Sequence, residues 1–541
     1  VLDGEYYYVD GPTKHVENWA HCPQGISVRE FYGGDLEGVR QKLDYLQELG
    51  IEVLYFNPLF VSPSNHKYDC QDYDYIDPHV SNIVVDEGAV LPEGCKDNTQ
   101  AARYITRVTD KRNLEASNAY FAKFVEEVHA HGMKIILDGV FNHCGSFHKW
   151  LDREKLYEQQ GGYAPGAYVS GESPYRDFFA FQNQEAWPDN GSYEGWWGFE
   201  TLPKLNYEGS QELWNYVLDI GRKWVSPPYN VDGWRLGGAA DLGRSNEYNH
   251  EFWKKFRKAV KEANPHALIL AEHYGDPSDW LQGDEWDSVM NYDAFMEPVT
   301  WFLTGMQKHS DEFRQDMLGN VDNFFGVMNH NMARMGGQAV GIAMNELSNH
   351  DHSRFLTRTN RTVGRLASKG SDAASQGVNK AVFMEGVVIQ MTWPGAPTIY
   401  YGDEAGVCGW TDPDNRRTYP WGHEDKELIA FHRDIIAVHK SSPALMHGSY
   451  KMLVAEHNLI CYGRFCEDDV VIVVINNGDD ERRVNIPAWQ TGLTSHDDVE
   501  QVLVTYDGGY STERLGYSVP GGYLDLGLRR TSAVILRKIQ Y

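Results

Sequence analysis

The sequence is short of basic residues. Lysine and arginine together number 49, against 77 aspartate and glutamate residues, so the net charge is −28 at pH 7. Such an excess of negative charge repels nucleic acids and anionic membrane surfaces. No apolar run is long enough to cross a bilayer, and no basic stretch followed by an apolar one marks a leader peptide. We therefore expect a neutral ligand, with no nucleic acid and no membrane as partner.

Cysteine is also scarce and scattered. The seven cysteines form no Cys-x-x-Cys pair of the kind that marks a structural zinc site, and no His-x-x-x-His lies on a predicted helix. No Gly-x-Gly-x-x-Gly follows a predicted strand, so the signature of a dinucleotide site is missing too. This pattern favours a reduced, cytoplasmic protein. Because the chain starts at Val1 and not at a methionine, a leader that has been removed stays an alternative.

What the sequence does contain is a repeated alternation of helical and strand-like segments over more than 400 of its 541 residues. The predicted helices span residues 35–50, 116–131, 211–224, 251–263 and 426–439. The predicted strands span residues 51–60, 133–137, 230–236, 267–271, 288–292, 341–347 and 396–401. Helices alternating with short apolar strands predict an α/β fold with a parallel sheet, most simply a closed (β/α)8 barrel. An open doubly wound sheet is the alternative.

Two segments interrupt this alternation. Residues 142–206 are rich in Gly, Tyr and Trp and predict either an inserted domain B or a lid over the mouth of the barrel. Residues 447–541 contain strand-like runs separated by turn residues and predict a C-terminal antiparallel β-sandwich. The barrel then comprises residues 1–141 and 207–446. Only the Tyr6 to Val9 stretch resembles a strand before the first helix, so we expect an unusual first strand or a chain that begins late.

Three acidic residues lie where apolar strand-like runs end, namely Asp138, Glu272 and Asp351. Because strands of a barrel converge at their carboxyl ends, these carboxylates are predicted to share one pocket. Any one of them alone could equally be a helix cap or a solvated loop residue. Clustered carboxylates suit glycosyl transfer, which needs a proton donor for the leaving oxygen and a second carboxylate facing the anomeric carbon.

Several motifs resemble the α-amylase superfamily, glycoside hydrolase family 13. Asp138-Gly-Val-Phe-Asn-His143 resembles the first conserved region, Gly233-Trp-Arg-Leu-Gly237 the second, Glu272 the third and Ser348-Asn-His-Asp351 the fourth. Leu202-Pro-Lys-Leu-Asn206 resembles the fifth region in the form typical of cyclomaltodextrinases and neopullulanases. The resemblance implies an enzyme that acts on α-glucan oligosaccharides, either maltooligosaccharides or cyclic glucans. Whether it prefers α-1,4 or α-1,6 linkages stays open.

The resemblance also implies roles for individual residues. Glu272 is implied to be the general acid and base, and Asp351 to stabilise the oxocarbenium-like transition state. Asp138 is implied to be a structural member of the pocket. The residues implied to bind the substrate or orient the nucleophile are Tyr68, His143, Arg235, His350, Asp412, Arg416 and Trp197. For Trp197 a place in the hydrophobic core is the alternative.

A structural calcium ion is a further expectation from the resemblance, with Asp3, Gly33 and Asp35 as the matching ligands. The alternative for Asp35 is a cap at the N-terminus of the first helix. Relatives of this group carry an N-terminal sandwich that helps them to dimerise. This sequence does not include that domain, so the oligomeric state is left open.

Gly237 is the main departure from the family pattern, because it stands where the family has its aspartate nucleophile. Asp241 is too far along the chain to replace it, since four residues of a strand span about 13 Å. We interpret the chain as a variant from which the nucleophile was removed by engineering, because the other site residues remain. The alternative is a non-catalytic carbohydrate-binding or transporter-associated barrel.

Overall fold

The structure is a computed structural model that describes residues 1–25 and 27–541. The chain divides into two compact units. Unit 1 comprises Val1–Trp19, Val28–His273 and Asp279–Asp287, and unit 2 comprises Ala20–Ser27, Tyr274–Ser278 and Ser288–Tyr541. This division does not follow the expected barrel, insert and sandwich, whose borders therefore stay a prediction. Within the described residues, no helix combines the length and the apolar character needed to span a bilayer.

Unit 1 contains ten strands and six helices among its described residues. The strands are β1 (Tyr7–Tyr8), β2 (Gly11–Pro12), β3 (Lys14–His15), β4 (Glu30–Phe31), β5 (Val53–Tyr55), β6 (Phe60–Val61), β7 (Asp72–Ile76), β8 (Lys134–Gly139), β9 (Gly233–Leu236) and β10 (Leu268–Ala271). The helices are α1 (Leu36–Arg40), α2 (Leu43–Leu49), α3 (Ala102–Thr109), α4 (Lys111–Ala130), α5 (Gln211–Val225) and α6 (Asn246–Ala263). The predicted alternation of helix and strand is confirmed in this unit.

Four parallel strands of unit 1 pair in the order β10, β9, β8, β5. In their register Arg235 of β9 lies level with Asp138 of β8 and with Leu270 of β10. Residues that are level in a parallel sheet face the same side, and residues two apart on one strand do so too. Asp138 and Arg235 therefore lie on the same face of the sheet. Gly237, two residues after Arg235, lies on that face too.

The front of the chain differs from the prediction in two ways. The expected single helix over residues 35–50 is two helices, α1 and α2. The break lies at Lys42, whose φ of −111° is outside the helical region. The Lys42 N–H donates a hydrogen bond to Val39 O, three residues back, which makes a tighter turn than an α-helix. The strand-like stretch near Tyr6 forms no part of the parallel sheet just described. It makes the short antiparallel hairpin β1 and β2 instead.

A buried network of charged groups fixes the segment that precedes Tyr68. Lys67 Nζ lies 2.6 Å from Asp77 Oδ2. His79 lies between two carboxylates, 2.8 Å from Asp77 Oδ1 and 2.7 Å from Glu5 Oε1. Although burial alone disfavours a charged imidazole, the two carboxylates raise the pKa of His79. The network ties the start of the chain to the loop that carries Tyr68.

Unit 2 contains the remaining strands and helices. The strands are β11 (Ser288–Val289), β12 (Met344–Glu346), β13 (Ala396–Thr398), β14 (Ser449–Glu456), β15 (Leu459–Cys466), β16 (Asp469–Asn476), β17 (Arg482–Ile486), β18 (Asp498–Tyr506), β19 (Gly509–Ser511), β20 (Leu515–Ser518), β21 (Leu524–Leu528) and β22 (Ser532–Lys538). The helices are α7 (Glu297–Thr304), α8 (Val321–Met335), α9 (Gly337–Gly341), α10 (Phe355–Arg358), α11 (Leu366–Lys369), α12 (Lys380–Thr392), α13 (Lys426–Ser441) and α14 (Pro443–His447).

The C-terminal part of unit 2 is an antiparallel sandwich. One sheet has the order β14, β15, β16, β22, β18, β19, with β20 also on β18, and a second sheet pairs β17 with β21. Alternate residues of both sheets share one core, in which Ile472 and Val474 of β16 are clustered with Ile486 of β17 and Leu526 of β21. This burial of one face of each sheet is what makes the two sheets a sandwich.

Helix α12 was not predicted, because its sequence lacks an amphipathic period. Every residue from Ala381 to Thr392 is buried, so apolar side chains surround the helix on all sides. Glu385 is an acidic residue among these buried side chains. Neither of its carboxylate oxygens has a hydrogen-bond partner within the described chain. Burial raises the pKa of Glu385 far above its ordinary value.

Replacing Glu385 by methionine is expected to stabilise the protein, and more so at high pH. The folded state keeps a proton on Glu385 that the unfolded state releases above about pH 4.5. The free energy of unfolding of the unmodified protein should therefore fall as the pH rises. We expect Glu385→Met to raise it by about 1–3 kcal/mol at pH 8, measured by thermal unfolding at pH 5 and pH 8.

The matched control is Glu312→Met, which removes a glutamate from an exposed loop. It should leave both unfolding temperatures almost unchanged. If Glu385→Met changed stability equally at the two pH values, the folded protein would not hold a proton at this position.

Candidate active site

Arg235 is a buried cation that bridges two carboxylates. Its Nη1 lies 3.1 Å from Asp138 Oδ1 and 3.2 Å from Asp138 Oδ2, and its Nη2 lies 2.5 Å from Glu272 Oε2. The guanidinium is buried, whereas the Glu272 side chain is 21% exposed. Although burial disfavours the charged guanidinium, Asp138 above all raises the pKa of Arg235. Strand β8, strand β9 and the residue directly after β10 thus each supply one member of a charged triad.

The strand register also places Gly237 beside Glu272. Leu236 is level with Ala271. The pairing continues past these residues, because Glu272 N donates a hydrogen bond of 2.9 Å to Leu236 O. On the other side, Gly237 N donates to Gly139 O at 3.1 Å. Because neighbouring strands lie about 4.8 Å apart, a side chain at position 237 would lie within reach of the Glu272 carboxylate.

The backbone conformation at position 237 does not require glycine. Its φ lies outside the left-handed region, in contrast to the +55° of Gly238. A Cβ added at Gly237 would lie 2.7 Å from Arg235 Nη1 and 2.9 Å from Val140 Cγ2. Both contacts are with side-chain atoms and both are too short, so a larger residue at 237 requires Arg235 and Val140 to shift.

Two tyrosine hydroxyls complete the surroundings of Asp138. Tyr55 and Tyr68 each donate a hydrogen bond of 2.8 Å to Asp138 Oδ2. Burial raises the pKa of Asp138, against the opposing effects of Arg235 and the two hydroxyls. Each ring also lies with its centroid 5.9 Å from the Arg235 guanidinium carbon. Tyr68 therefore joins the charged triad through its hydroxyl group.

His143 is buried next to Tyr68 and is neutral. Its Nε2 lies 3.1 Å from Tyr68 O, and its Nδ1 lies 3.1 Å from Asn142 Nδ2. Burial lowers the pKa of His143 to about 3. The Trp196 ring stacks on the imidazole, with 4.7 Å between centroids and 12° between planes.

Trp197 projects from the same loop into solvent. Its side chain is 78% exposed and its φ is +52°, a conformation that non-glycine residues rarely adopt. The base of the loop is held by pairing of Gly195 with Pro203. An exposed indole on a fixed base can serve as a stacking surface for a ligand.

Four of the predicted site residues lie in unit 2 and form a group of their own. His350 Nε2 lies 3.5 Å from Asp351 Oδ2. Arg416 Nε donates to His350 O at 3.1 Å and lies 3.0 Å from Asp412 Oδ1. Desolvation raises the pKa of Asp412, Asp351 adds to this effect, and Arg416 opposes it.

The loop that carries Asp351 is held by side-chain caps. Asn349 Oδ1 accepts the Asp351 N–H at 2.9 Å, and Thr411 Oγ1 donates to Asp351 O at 2.5 Å. Asn415 Nδ2 donates to Asn349 O at 2.9 Å. These contacts fix the backbone of Asp351 while its carboxylate stays 37% exposed.

The two aspartates among the expected calcium ligands each accept a hydrogen bond from a backbone N–H group. Asp3 Oδ1 accepts the His15 N–H at 2.6 Å, and Asp35 Oδ1 accepts the Gly38 N–H at 2.8 Å. The helix-cap interpretation of Asp35 is therefore confirmed. Gly33, with φ +91°, precedes that cap. No group of three or more His, Cys, Asp or Glu side chains in the described chain could hold a metal ion, so calcium stays a prediction from the resemblance.

Sequence reasoning missed three residues that contact this site. Tyr55 had no signal beyond its place in an apolar strand. Asn142 and Lys204 lie inside motifs that were recognised, but no role was assigned to them. Lys204 Nζ donates to Asn142 Oδ1 at 2.8 Å and to Asp241 O at 2.8 Å. The available signal for both residues was their place inside these motifs.

Comparisons with known proteins agree with the geometry. The model of the alpha-amylase catalytic domain matches residues 9–83 and 116–448. The chain is 34% identical over 455 residues to neopullulanase 2 of Thermoactinomyces vulgaris, covering 82% of this chain and 62% of that protein. It is 30% identical over 465 residues to an intracellular maltogenic amylase of Bacillus subtilis (strain 168), covering 85% and 64%.

Among solved structures, the debranching enzyme of Nostoc punctiforme is similar, with a TM-score of 0.71 and 26% identity, covering 94% of this chain and 90% of that one. The predicted fold class, a (β/α)8 barrel with a C-terminal antiparallel β-sandwich, is confirmed by the family match and this similarity. The chain spans only between 23% and 65% of the length of the curated relatives it matches.

Removing the cation from the triad is expected to destabilise the protein strongly. Arg235→Met leaves Asp138 buried with no positive partner, and breaking a buried ion pair in this way costs about 3–5 kcal/mol. Urea unfolding at pH 7 measures the loss of free energy.

Adding Asp138→Asn to Arg235→Met should recover part of this loss, because it removes the orphaned charge. Recovery of stability at lower pH in the single variant is expected for the same reason, since Asp138 then takes up a proton. An Arg235→Met protein as stable as the unmodified chain at pH 7 would show that the triad contributes nothing to folding.

Proposed function

Because the chain belongs to the alpha-amylase family, we propose that it is built as a retaining α-glucoside hydrolase and transglycosylase in which Gly237 replaces the nucleophile. The main support is the register that puts Gly237 level with Glu272 and against Arg235 Nη1. Retaining glycosidases hold their two carboxyl groups about 5–5.5 Å apart, which neighbouring parallel strands provide. The proposed substrates are maltooligosaccharides or cyclic α-glucans, because relatives include proteins named cyclomaltodextrinase and neopullulanase.

In this proposal Glu272 is the acid and base of the reaction. It would protonate the leaving oxygen while a carboxylate at position 237 attacked the anomeric carbon to form a glycosyl ester. With glycine at 237 no such ester can form. Glu272 can still donate its proton to the leaving oxygen. Because no carboxylate attacks the anomeric carbon from the opposite face of the sugar, hydrolysis is negligible.

A carboxylate at position 237 would also change the pairing of Arg235. The guanidinium now lies against Gly237 and bonds Glu272 directly. An aspartate at 237 would compete for the same Nη1 and Nη2 groups and would draw Arg235 away from Glu272. Arg235 would then orient the nucleophile, and the acid would be free to face the substrate.

The remaining site residues are proposed to hold the sugar. Tyr68 and His143 in unit 1 would contact the ring, with Trp197 as a stacking surface further along the substrate. In unit 2, the roles follow from the family resemblance. Asp351 would stabilise the transition state, and the group comprising His350, Asp412 and Arg416 would bind sugar hydroxyls.

Two further expectations remain proposals. Each of the seven cysteines is a free thiol, which fits a reduced compartment such as the cytoplasm. A calcium ion held by Asp3, Gly33 and Asp35 would stabilise the start of the barrel, with no part in the chemistry.

Gly237 itself favours a second candidate function, namely carbohydrate binding without cleavage. A barrel that has lost its nucleophile can still bind a glucan through aromatic and polar side chains. The two proposals differ in what restoring a carboxylate at 237 does, because only an enzyme with an otherwise complete site regains activity.

Gly237→Asp is expected to restore hydrolysis of maltohexaose. Because activity without the nucleophile should be negligible, we expect a rise of at least about 10³-fold, on the scale of losing a covalent step. Release of shorter sugars is followed by chromatography.

The matched control is Gly237→Asn, which has the same size as aspartate but cannot attack. It should stay inactive. If Gly237→Asp bound maltohexaose without cleaving any α-glucoside, the binding-protein alternative would replace the enzyme.

The chain as it stands should bind maltohexaose without cleaving it. Because Trp197 offers an exposed indole for stacking, Trp197→Ala is expected to weaken binding by about 10-fold. Calorimetry measures the affinity. Trp489→Ala, which removes a 54% exposed indole from the sandwich, is the control and should have no effect. Equal weakening by both variants would remove the case for Trp197 as a ligand contact.

A further inference from the structure

A continuous chain of hydrogen bonds leads from the loop after β9 to the imidazole of His143. Lys204 Nζ donates to Asp241 O and to Asn142 Oδ1, each at 2.8 Å. Asn142 Nδ2 lies 3.1 Å from His143 Nδ1, and His143 Nε2 lies 3.1 Å from Tyr68 O. Four segments that are distant in sequence are thus joined through two side chains and one imidazole.

The chemistry of the groups fixes the direction of every bond in this chain. A lysine ammonium only donates, so the Asn142 atom that faces it must be the carbonyl oxygen. The other end of the amide is then the NH2 group, which also only donates. His143 Nδ1 must accept from it and carries no proton. In the neutral imidazole the proton is therefore on Nε2, and it is donated to Tyr68 O, which can only accept.

We propose that Lys204 is a positioning residue that sets the tautomer and orientation of His143 through the amide of Asn142. The Nε2 proton of His143 in turn holds the backbone of Tyr68, whose hydroxyl reaches Asp138. Lys204 would thus control two of the side chains expected to contact the sugar without touching the sugar itself. The consequence for sugar binding rests on the proposed function, whereas the tautomer does not.

The electrostatics agree with this arrangement. Burial lowers the pKa of His143 to about 3, and the positive charge of Lys204 contributes to that lowering. Burial also lowers the pKa of Lys204, opposed by the carboxylates of Asp241, Glu194 and Glu208. A cation that disfavours a second positive charge nearby keeps the imidazole neutral, which the chain of hydrogen bonds requires.

Direct contact of Lys204 with a ligand is the competing explanation. Lys204 lines a cavity of about 360 Å³, whose other walls include Trp197, Asp241 and Arg244. A lysine in that wall could bind a sugar hydroxyl. The two explanations are separated by observing His143 in the absence of any sugar, because only a positioning role changes its tautomer there.

The experiment uses the full chain labelled with 15N-histidine and long-range 1H–15N correlation spectra, in which each imidazole tautomer has its own pattern. His143 is one of 21 histidines and is identified by the signal that His143→Gln removes. In the unmodified chain we expect the Nε2–H tautomer and no titration above pH 5. In Lys204→Met the amide of Asn142 is free to rotate, so we expect a mixture of tautomers and titration at higher pH.

Asn142→Asp is a second variant that keeps the contact with Lys204. Its carboxylate still accepts from the ammonium but has no proton to donate, so it favours a proton on His143 Nδ1 in addition to the one that Nε2 donates to Tyr68 O. We expect the Nδ1 proton to appear and the pKa of His143 to rise by about two. Because the new ion pair with Lys204 replaces the lost amide contact, this variant should remain folded even where Lys204→Met does not.

Lys155→Met is the matched control, because Lys155 lies in the same insert and pairs with Asp189 at 2.8 Å, away from His143. It should leave the His143 signals unchanged. Lys204→Arg retains a cation and should preserve the Nε2–H tautomer. If both Lys204→Met and Asn142→Asp kept the tautomer of the unmodified chain, the proposal would be wrong.

Calorimetry with maltohexaose then tests the consequence for binding. We expect Lys204→Met to bind about 10-fold more weakly, and Lys204→Arg to stay within about threefold of the unmodified chain. A changed tautomer in a chain that binds no α-glucan would overturn the proposed function but not the positioning role. An unchanged tautomer with weakened binding would assign Lys204 to direct ligand contact and overturn the positioning role.

Discussion

The buried guanidinium of Arg235 is the constraint on which the centre of unit 1 depends. Removing such a cation from water costs several kcal/mol, and only close anionic partners offset that cost. Asp138 and Glu272 supply them from the strands on either side. Because a slip of one residue would turn each side chain to the opposite face, the ion pairs and the register of β8, β9 and β10 specify one another.

The balance of charge around Arg235 also depends on which residue stands at position 237. In the present chain the single cation is matched by one buried carboxylate, Asp138, and by Glu272 at the edge of solvent. With a further carboxylate at 237, three acidic groups would share one guanidinium, which favours a proton on one of the three. A protonated and an ionised carboxyl group side by side are what acid-assisted attack on a glycoside requires.

Much of this arrangement could be predicted from the sequence, and the failures have physical reasons. Asp138 and Glu272 were found because each of them ends an apolar run of the sequence. Helix α12 was missed because a helix buried on all sides has no polar face to create a period. The contacts of Lys204 could not be predicted, since they join segments whose proximity only the folded chain determines. The strand register that sets Gly237 beside Glu272 likewise needed the structure.

Two buried histidines of unit 1 have pKa shifts in opposite directions, because different groups face their ring nitrogens. His79 has a carboxylate at each ring nitrogen, 2.7 and 2.8 Å away, and its pKa is raised. His143 has an amide and a carbonyl in the same positions, with a lysine beyond them, and its pKa is lowered. The same side chain is thus used as a charged structural link in one place and as a neutral donor in the other. The lysine beyond Asn142 disfavours a second positive charge on His143, so it helps to keep this donor neutral.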